Sequence, residues 1–277
     1  MTANLWTLEG HPATGMKWSL AQKVKAVKDA GFDAVTAPPT PELAALLRQH
    51  RLRYLGFFSS SDLQEIPGRM AEQCEAGAEV VNVQLGDDFT PAAETLALAL
   101  AVRQESRRCG IYTAIEVHRD TATETPEKTY QLADAYERAT GEFLPVTWDH
   151  SHFAVVKHLK PHLYTEVLLQ RSELIETARL MHLRPFNGQH AQVPVMDLQG
   201  QVTVEFRQWL QFADTLLARW LAGPRPGDEL WVCPEIGPVG VHGYNLSVFP
   251  KSWDQAVRCA EVLRRRWTRL IAETSRT

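Results

Sequence analysis

The chain has 277 residues, of which 22% are charged and 44% hydrophobic, and a formal net charge of −4. That composition excludes a disordered chain, and the slight acidity argues against a broad electrostatic grip on nucleic acid or on an anionic membrane. No apolar run approaches the roughly 18 residues of a membrane span, and the start Met1-Thr2-Ala3-Asn4-Leu5-Trp6 lacks the basic and apolar regions of a signal peptide.

Apolar β-type runs alternate with amphipathic helical patterns along the chain. The first predicted strand is Asn4–Leu8. Ser19-Leu20-Ala21-Gln22 then reads as a capping box, with Leu20, Val24 and Val27 on one helical face and Gly31 as the stop. The second strand, Phe32–Ala37, leads to Thr40-Pro41, where Thr caps a helix and Pro takes its first position. Strands Arg53–Ser59 and Glu79–Leu85 follow, and Thr90-Pro91 and Thr125-Pro126 repeat the Thr-Pro device on either side of the fifth strand, Ile111–His118. The sixth and seventh strands are Pro145–Asp149 and Leu180–Phe186, the latter followed by a long loop over 187–203. The eighth, Glu229–Ile236, runs into a Gly- and Pro-rich stretch, 237–250. Ser252 with Gln255 opens a last helix whose apolar stripe is Ala256, Val257, Ala260, Leu263, Trp267, Leu270 and Ile271; its Arg264-Arg265-Arg266 run reads as a solvated patch.

Eight strands with helices between them predict an α/β fold, a (β/α)8 TIM barrel in one domain over 1–277. A doubly wound open sheet is the alternative, weakened because no glycine-rich dinucleotide fingerprint follows the first strand. In a barrel the loops 187–203 and 237–250 fall at the mouth, where active sites form. The four cysteines, Cys74, Cys109, Cys233 and Cys259, form no C-x-x-C pair. Unpaired thiols without a secretion signal predict a cytoplasmic protein.

Strand alternation then places chemistry. In the fifth strand Tyr112, Ala114, Glu116 and His118 share the inward face. Asp149 ends the sixth, His182 and Arg184 alternate inward in the seventh, and Trp231, Cys233 and Glu235 do so in the eighth. A lone buried carboxylate is costly, and a metal or adjacent charge removes the cost. Four consecutive strands thus end in Glu116, Asp149, His182 and Glu235. The first two intervals are each one β/α unit long, and the third holds a unit plus the loop after Phe186. Three carboxylates and an imidazole form a hard site suited to Mn²⁺, Mg²⁺ or Co²⁺, with Zn²⁺ also compatible. His150, on the opposite strand face from Asp149, reads as structural, and Cys233 reads as core packing because no base stands beside it. Trp6 and Trp231 are candidates for an aromatic wall inside the barrel. His190 and His242 lie on mouth loops.

On Glu116-Val117-His118, Asp149-His150-Ser151-His152, His182-Leu183-Arg184 and Pro234-Glu235, the sequence resembles the xylose isomerase-like TIM barrels: sugar isomerases, 3-epimerases, inosose dehydratases and endonuclease IV-type enzymes. The resemblance covers nearly the whole chain. It implies one divalent cation, often Mn²⁺, held by Glu116, Asp149, His182 and Glu235. It also implies substrate-binding or ligand-orienting roles for His152 and Arg184, and often assembly into dimers or tetramers. The fourth strand, Val81-Asn82-Val83-Gln84-Leu85, lacks the His of the multi-zinc nuclease relatives, which lowers a nucleic-acid-processing reading. Gln189–Pro194 matches no pattern tied to one activity.

The implied reaction is proton movement beside a carbonyl of a small sugar or sugar-like substrate, through an enediolate, with Glu116 and Glu235 as the proton-transferring pair. His118 and His152 are expected to touch substrate oxygens or orient ligands, and Arg184 to orient a hydroxyl or carboxylate. A metal-dependent lyase or dehydratase on a sugar, cyclitol or related acid is the alternative; an endonuclease IV-like or non-catalytic barrel ranks below both. No membrane or nucleic-acid partner is expected.

Overall fold

Short polar signals set the element boundaries. Ser19 Oγ accepts from Gln22 N while Gln22 Oε1 accepts from Ser19 N, the predicted capping box, and the helix that follows, α1 (Leu20–Asp29), stops where Gly31 takes φ +74°. Thr40 caps α2 (Pro41–His50) and Thr125 caps α5 (Pro126–Thr140), each with Pro in the first turn. The computed structural model describes residues 1–9, 11, 17–224, 229–238 and 252–274; most of the predicted loop 237–250, with His242, lies outside them.

The strands are β1 (Thr2–Asn4), β2 (Ala34–Thr36), β3 (Arg53–Ser60), β4 (Val80–Leu85), β5 (Tyr112–Glu116), β6 (Val146–Trp148), β7 (Leu180–His182) and β8 (Trp231–Cys233). They form one parallel sheet in chain order, with β8 returning beside β1, the (β/α)8 barrel expected from the alternation. Helices α3 (Ile66–Glu75), α4 (Ala92–Cys109), α6 (His150–Val156), α7 (Tyr164–Leu168), α8 (Ser172–Glu176), α9 (Val204–Ala222) and α10 (Ser252–Thr274) complete the order. The main core lies between strands and helices, and includes Val24 and Val27 of α1 and Trp209, Leu216 and Trp220 of α9.

Inside the barrel the strand period sorts apolar from polar. Ala34, Leu55, Val80, Leu180 and Trp231 make an apolar plug toward the N-terminal strand ends, with Tyr112 against it. Two residues on along the same face come Asn82, Ala114, His182 and Cys233; two further come Gln84, Glu116, Arg184 and Glu235. Polar groups therefore collect directly above an apolar floor, at the C-terminal rim.

Several expectations need correction. The first strand is Thr2–Asn4, and Leu5–Leu8 forms a 3-10 turn, because Asn4 Oδ1 accepts from Trp6 N and turns the chain. Thr90 does not cap its helix: its hydroxyl binds Asp87, and Pro91 takes the cap position. The fifth strand stops at Glu116, so His118 stands in the following turn. On α10, Ile271 is exposed, whereas Trp253 and Cys259 are buried. The arginine run is only partly solvated, because Arg264 donates to Gly31 O and Arg266 pairs with Asp214. Among the described residues no helix is long and apolar enough to cross a membrane.

Candidate functional site

Four segments deliver one donor each to the rim. Glu116 closes β5 and His182 closes β7. Asp149 follows β6 and caps α6, its Oδ1 accepting from Ser151 N at 3.0 Å; Glu235 stands two residues beyond β8. One ligand atom from each lies within 4.8 Å of the other three. The four side chains predicted to converge therefore do.

The arrangement at His182 is informative. Its Nδ1 is 2.9 Å from Glu116 Oε1 and 3.2 Å from Glu235 Oε2, yet it is a buried nitrogen with no aligned hydrogen bond. Atoms that crowd one point without a donor aimed at an acceptor are placed as ligands of a common cation are. Three carboxylates and one imidazole also suit a hard divalent ion, so the residues fit the group that the resemblance implies.

Neighbouring side chains fix which oxygens face the centre. Asn82 Nδ2 and Gln84 Nε2 both donate to Glu116 Oε2, at 2.7 and 2.8 Å, leaving Oε1 toward His182. Asn4 Nδ2 donates to Glu235 Oε1 at 3.1 Å across the β1–β8 seam, leaving Oε2 inward. Ser151 Oγ donates to Asp149 Oδ1 at 2.5 Å, and Arg184 Nη2 to Asp149 Oδ2 at 2.5 Å. Arg184, 1% exposed, also donates from Nε to Ser151 Oγ at 3.1 Å and lies 3.5 Å from Glu235 Oε2. Partners of this kind orient ligands and tune their basicity. Sequence reasoning did not assign Asn4, Ser151, Asn82 or Gln84 to the site. A signal existed for the last two, since carboxamides two apart share one face of an otherwise apolar strand.

The charges are mutually compensated. Burial alone would raise Glu116, but the His182 charge and contact outweigh it and hold the carboxyl at about 2. Burial likewise opposes ionisation of Asp149, and Arg184 overrides it, keeping Asp149 well below the usual carboxylate range. Burial pushes His182 down, while Glu235 and Glu116 raise it well above an ordinary histidine. Burial lowers His152 to about 4 despite Asp149, 3.3 Å from its Nε2. His152 also contacts Arg184 and packs its ring 4.3 Å from that of His118. His150, expected on the strand face opposite Asp149, instead opens α6, where it is buried and packs by stacking on Trp148 at 5.0 Å.

A cavity of about 440 Å³ stands over the cluster, bounded by Trp6, Pro38, Leu55 and Phe57 on its apolar side and reaching His118, His182, Arg184 and both glutamates. Trp6 thus lines the site. Trp231 does not: it belongs to the plug below, with the Arg53 guanidinium 4.2 Å over its ring. Gly237 packs so closely on Trp6 that a Cβ there would stand 2.2 Å from the indole. Gly237→Ala is therefore expected to displace Trp6, destabilise the fold by roughly 1–3 kcal/mol through overpacking and weaken ligand binding. Thermal melting and a binding titration check it.

No family model matches the chain and no curated protein matches it. Solved structures do. An L-ribulose 3-epimerase is similar at TM-score 0.68 and 11% identity, over 99% of this chain and 96% of that one. A xylose isomerase-like TIM barrel protein from Mycobacterium smegmatis, in complex with magnesium, is similar at TM-score 0.60 and 13% identity, over 96% and 97%. A probable 3-DHS dehydratase from Bacillus anthracis is similar at TM-score 0.59 and 12% identity, over 95% and 98%. The chain has the fold of the xylose isomerase-like TIM barrels.

Proposed function

We propose that the protein is a divalent-metal-dependent sugar epimerase or isomerase, with Mn²⁺ as the preferred ion and Glu116, Asp149, His182 and Glu235 as its ligands. The observation that carries this reading is the crowding of Glu116 and Glu235 on one buried imidazole nitrogen at the floor of a cavity with one apolar wall. Trp6 and Phe57 offer a face for the C–H side of a sugar ring, and the polar floor offers partners for its hydroxyls. A bound divalent cation supplies positive charge beside vicinal substrate oxygens.

Glu235 removes the proton from the carbon beside the carbonyl. Among the described residues its Oε1 accepts only from Asn4, so that oxygen keeps a lone pair to hold the proton. The electron pair moves into the carbonyl, giving an enediolate. Glu116, facing the opposite side of the enediolate, relays to it a proton taken from solvent while Glu235 releases its own to solvent, which inverts the centre; return of the proton by Glu235 to the adjacent carbon instead exchanges aldose and ketose. His118, His152 and Arg184 orient substrate oxygens. The test is incubation of metal-loaded enzyme with free ketoses in deuterated water. Deuterium at the carbon beside the carbonyl, with a new epimer or aldose, supports the reading. Release of water from the substrate would instead favour the dehydratase, and no exchange with any sugar would overturn the proposal.

Metal uptake offers an independent check. Glu235 and Glu116 hold the His182 proton above the ordinary histidine range, so a bound ion must displace it. Proton and cation compete for Nδ1, and apparent metal affinity is expected to fall as pH falls. Calorimetry in two buffers of different ionisation enthalpy should show about one proton released per ion, with one ion per chain by elemental analysis.

A further inference from the structure

A second cavity, of about 190 Å³, lies on the same rim, with Arg119, Glu124, His152, Val155, Gln189 and His190 in its lining. It adjoins the first. His152 borders the second cavity and His118 the first, and their rings stand 4.3 Å apart, so one imidazole pair separates the two spaces.

Its outer wall is the segment that matched no pattern, and that wall is built. Asn187 Oδ1 accepts from Gln189 N and His190 N, both at 2.8 Å, and Asn187 N donates to His190 O at 3.1 Å. Gly188 lies on the backbone of Leu159, where a Cβ would stand 2.2 Å from the carbonyl oxygen. Further on, buried Gln192 exchanges two hydrogen bonds with Gly237, at 2.9 and 3.0 Å, tying this loop to the segment after β8. The loop thereby holds Gln189 and His190 at the cavity, and among the described residues their hydrogen bonds use only their backbones. A preordered loop presenting a carboxamide and an imidazole lowers the ordering cost of binding. Charges of both signs, Arg119 and Glu124, and the valine side suit a neutral ring with hydroxyl edges and C–H faces better than an anion.

We propose that this second cavity is a subsite for a second sugar unit, so that the preferred substrate is a disaccharide whose ketose unit keeps a free anomeric centre, opens to its carbonyl form over Glu116 and Glu235, and carries the second sugar through another hydroxyl. The proposal rests on the sugar reading above and adds the size of the substrate to it. The experiment is calorimetric binding to metal-loaded protein of D-fructose, of three glucosyl-fructoses that differ in linkage position, and of fructose phosphates. At least one disaccharide is expected to bind about tenfold more tightly than fructose. The double variant Gln189→Ala, His190→Ala should abolish that gain and leave fructose affinity, metal content and melting temperature unchanged. The subsite alone is overturned if fructose binds and no disaccharide exceeds it, if the gain survives the double variant, or if fructose phosphates show the gain instead. Absence of binding by every sugar would overturn the sugar reading and the subsite together.

Discussion

Glu235→Gln at saturating Mn²⁺ is expected to lower turnover about 10³-fold, within the range that one positioned proton-transfer group contributes. The substitution is isosteric, but it is not electrically neutral. Asn4 donates to Oε1, so the new amide oxygen stays there and its NH2 replaces Oε2, facing His182 and Arg184. Glu116→Gln turns in the same sense, because Asn82 and Gln84 both require an acceptor at Oε2. Each variant therefore loses a proton acceptor and an inward lone pair, and metal affinity should weaken with turnover. Elemental analysis at each metal concentration separates the two losses. Turnover that persists in both metal-loaded variants would remove the proposed proton transfer.

Arg184→Leu is expected to destabilise the metal-free protein by roughly 3–5 kcal/mol, the usual cost of leaving a buried charge without its partner. Asp149 would then retain Ser151 and His152 but lose the guanidinium that keeps it ionised in the interior. A divalent ion should restore part of that loss, so the melting temperature of the variant should rise more on adding Mn²⁺ than that of the parent. Equal shifts in calorimetry, with chelator as the baseline, would show that the arginine and the ion do not share the task of balancing these carboxylates.

Much of the fold was readable because its signals are local. A Ser or Thr ahead of a helix and the two-residue period of a strand each act within a few positions, and both predicted real elements. Thr90 failed because a competing local bond, to Asp87, used the same hydroxyl. Asn4–Leu8 failed because Asn4, read as a strand residue, caps a turn. The convergence of Glu116, Asp149, His182 and Glu235 was legible once the barrel was assumed, since its geometry converts strand order into position on a ring. Ring order did not identify their partners. Which oxygen Asn82 or Asn4 binds depends on strand stagger and rotamer, and neither leaves a mark in the sequence. The plug position of Trp231 also depends on depth along the strand, which alternation alone does not fix.

The Asn4–Glu235 bond joins residues 231 positions apart. During synthesis, Glu116, Asp149 and His182 emerge well before Glu235, and Asn4 has no carboxylate to meet until the eighth strand is made. A nascent chain thus offers an incomplete nest to any ion it encounters. On the proposed metal reading, loading would follow closure of the ring, because a long-range pairing of this kind forms late and slowly. Ion capture would then report ring closure in refolding, giving a stopwatch for the last event rather than the first.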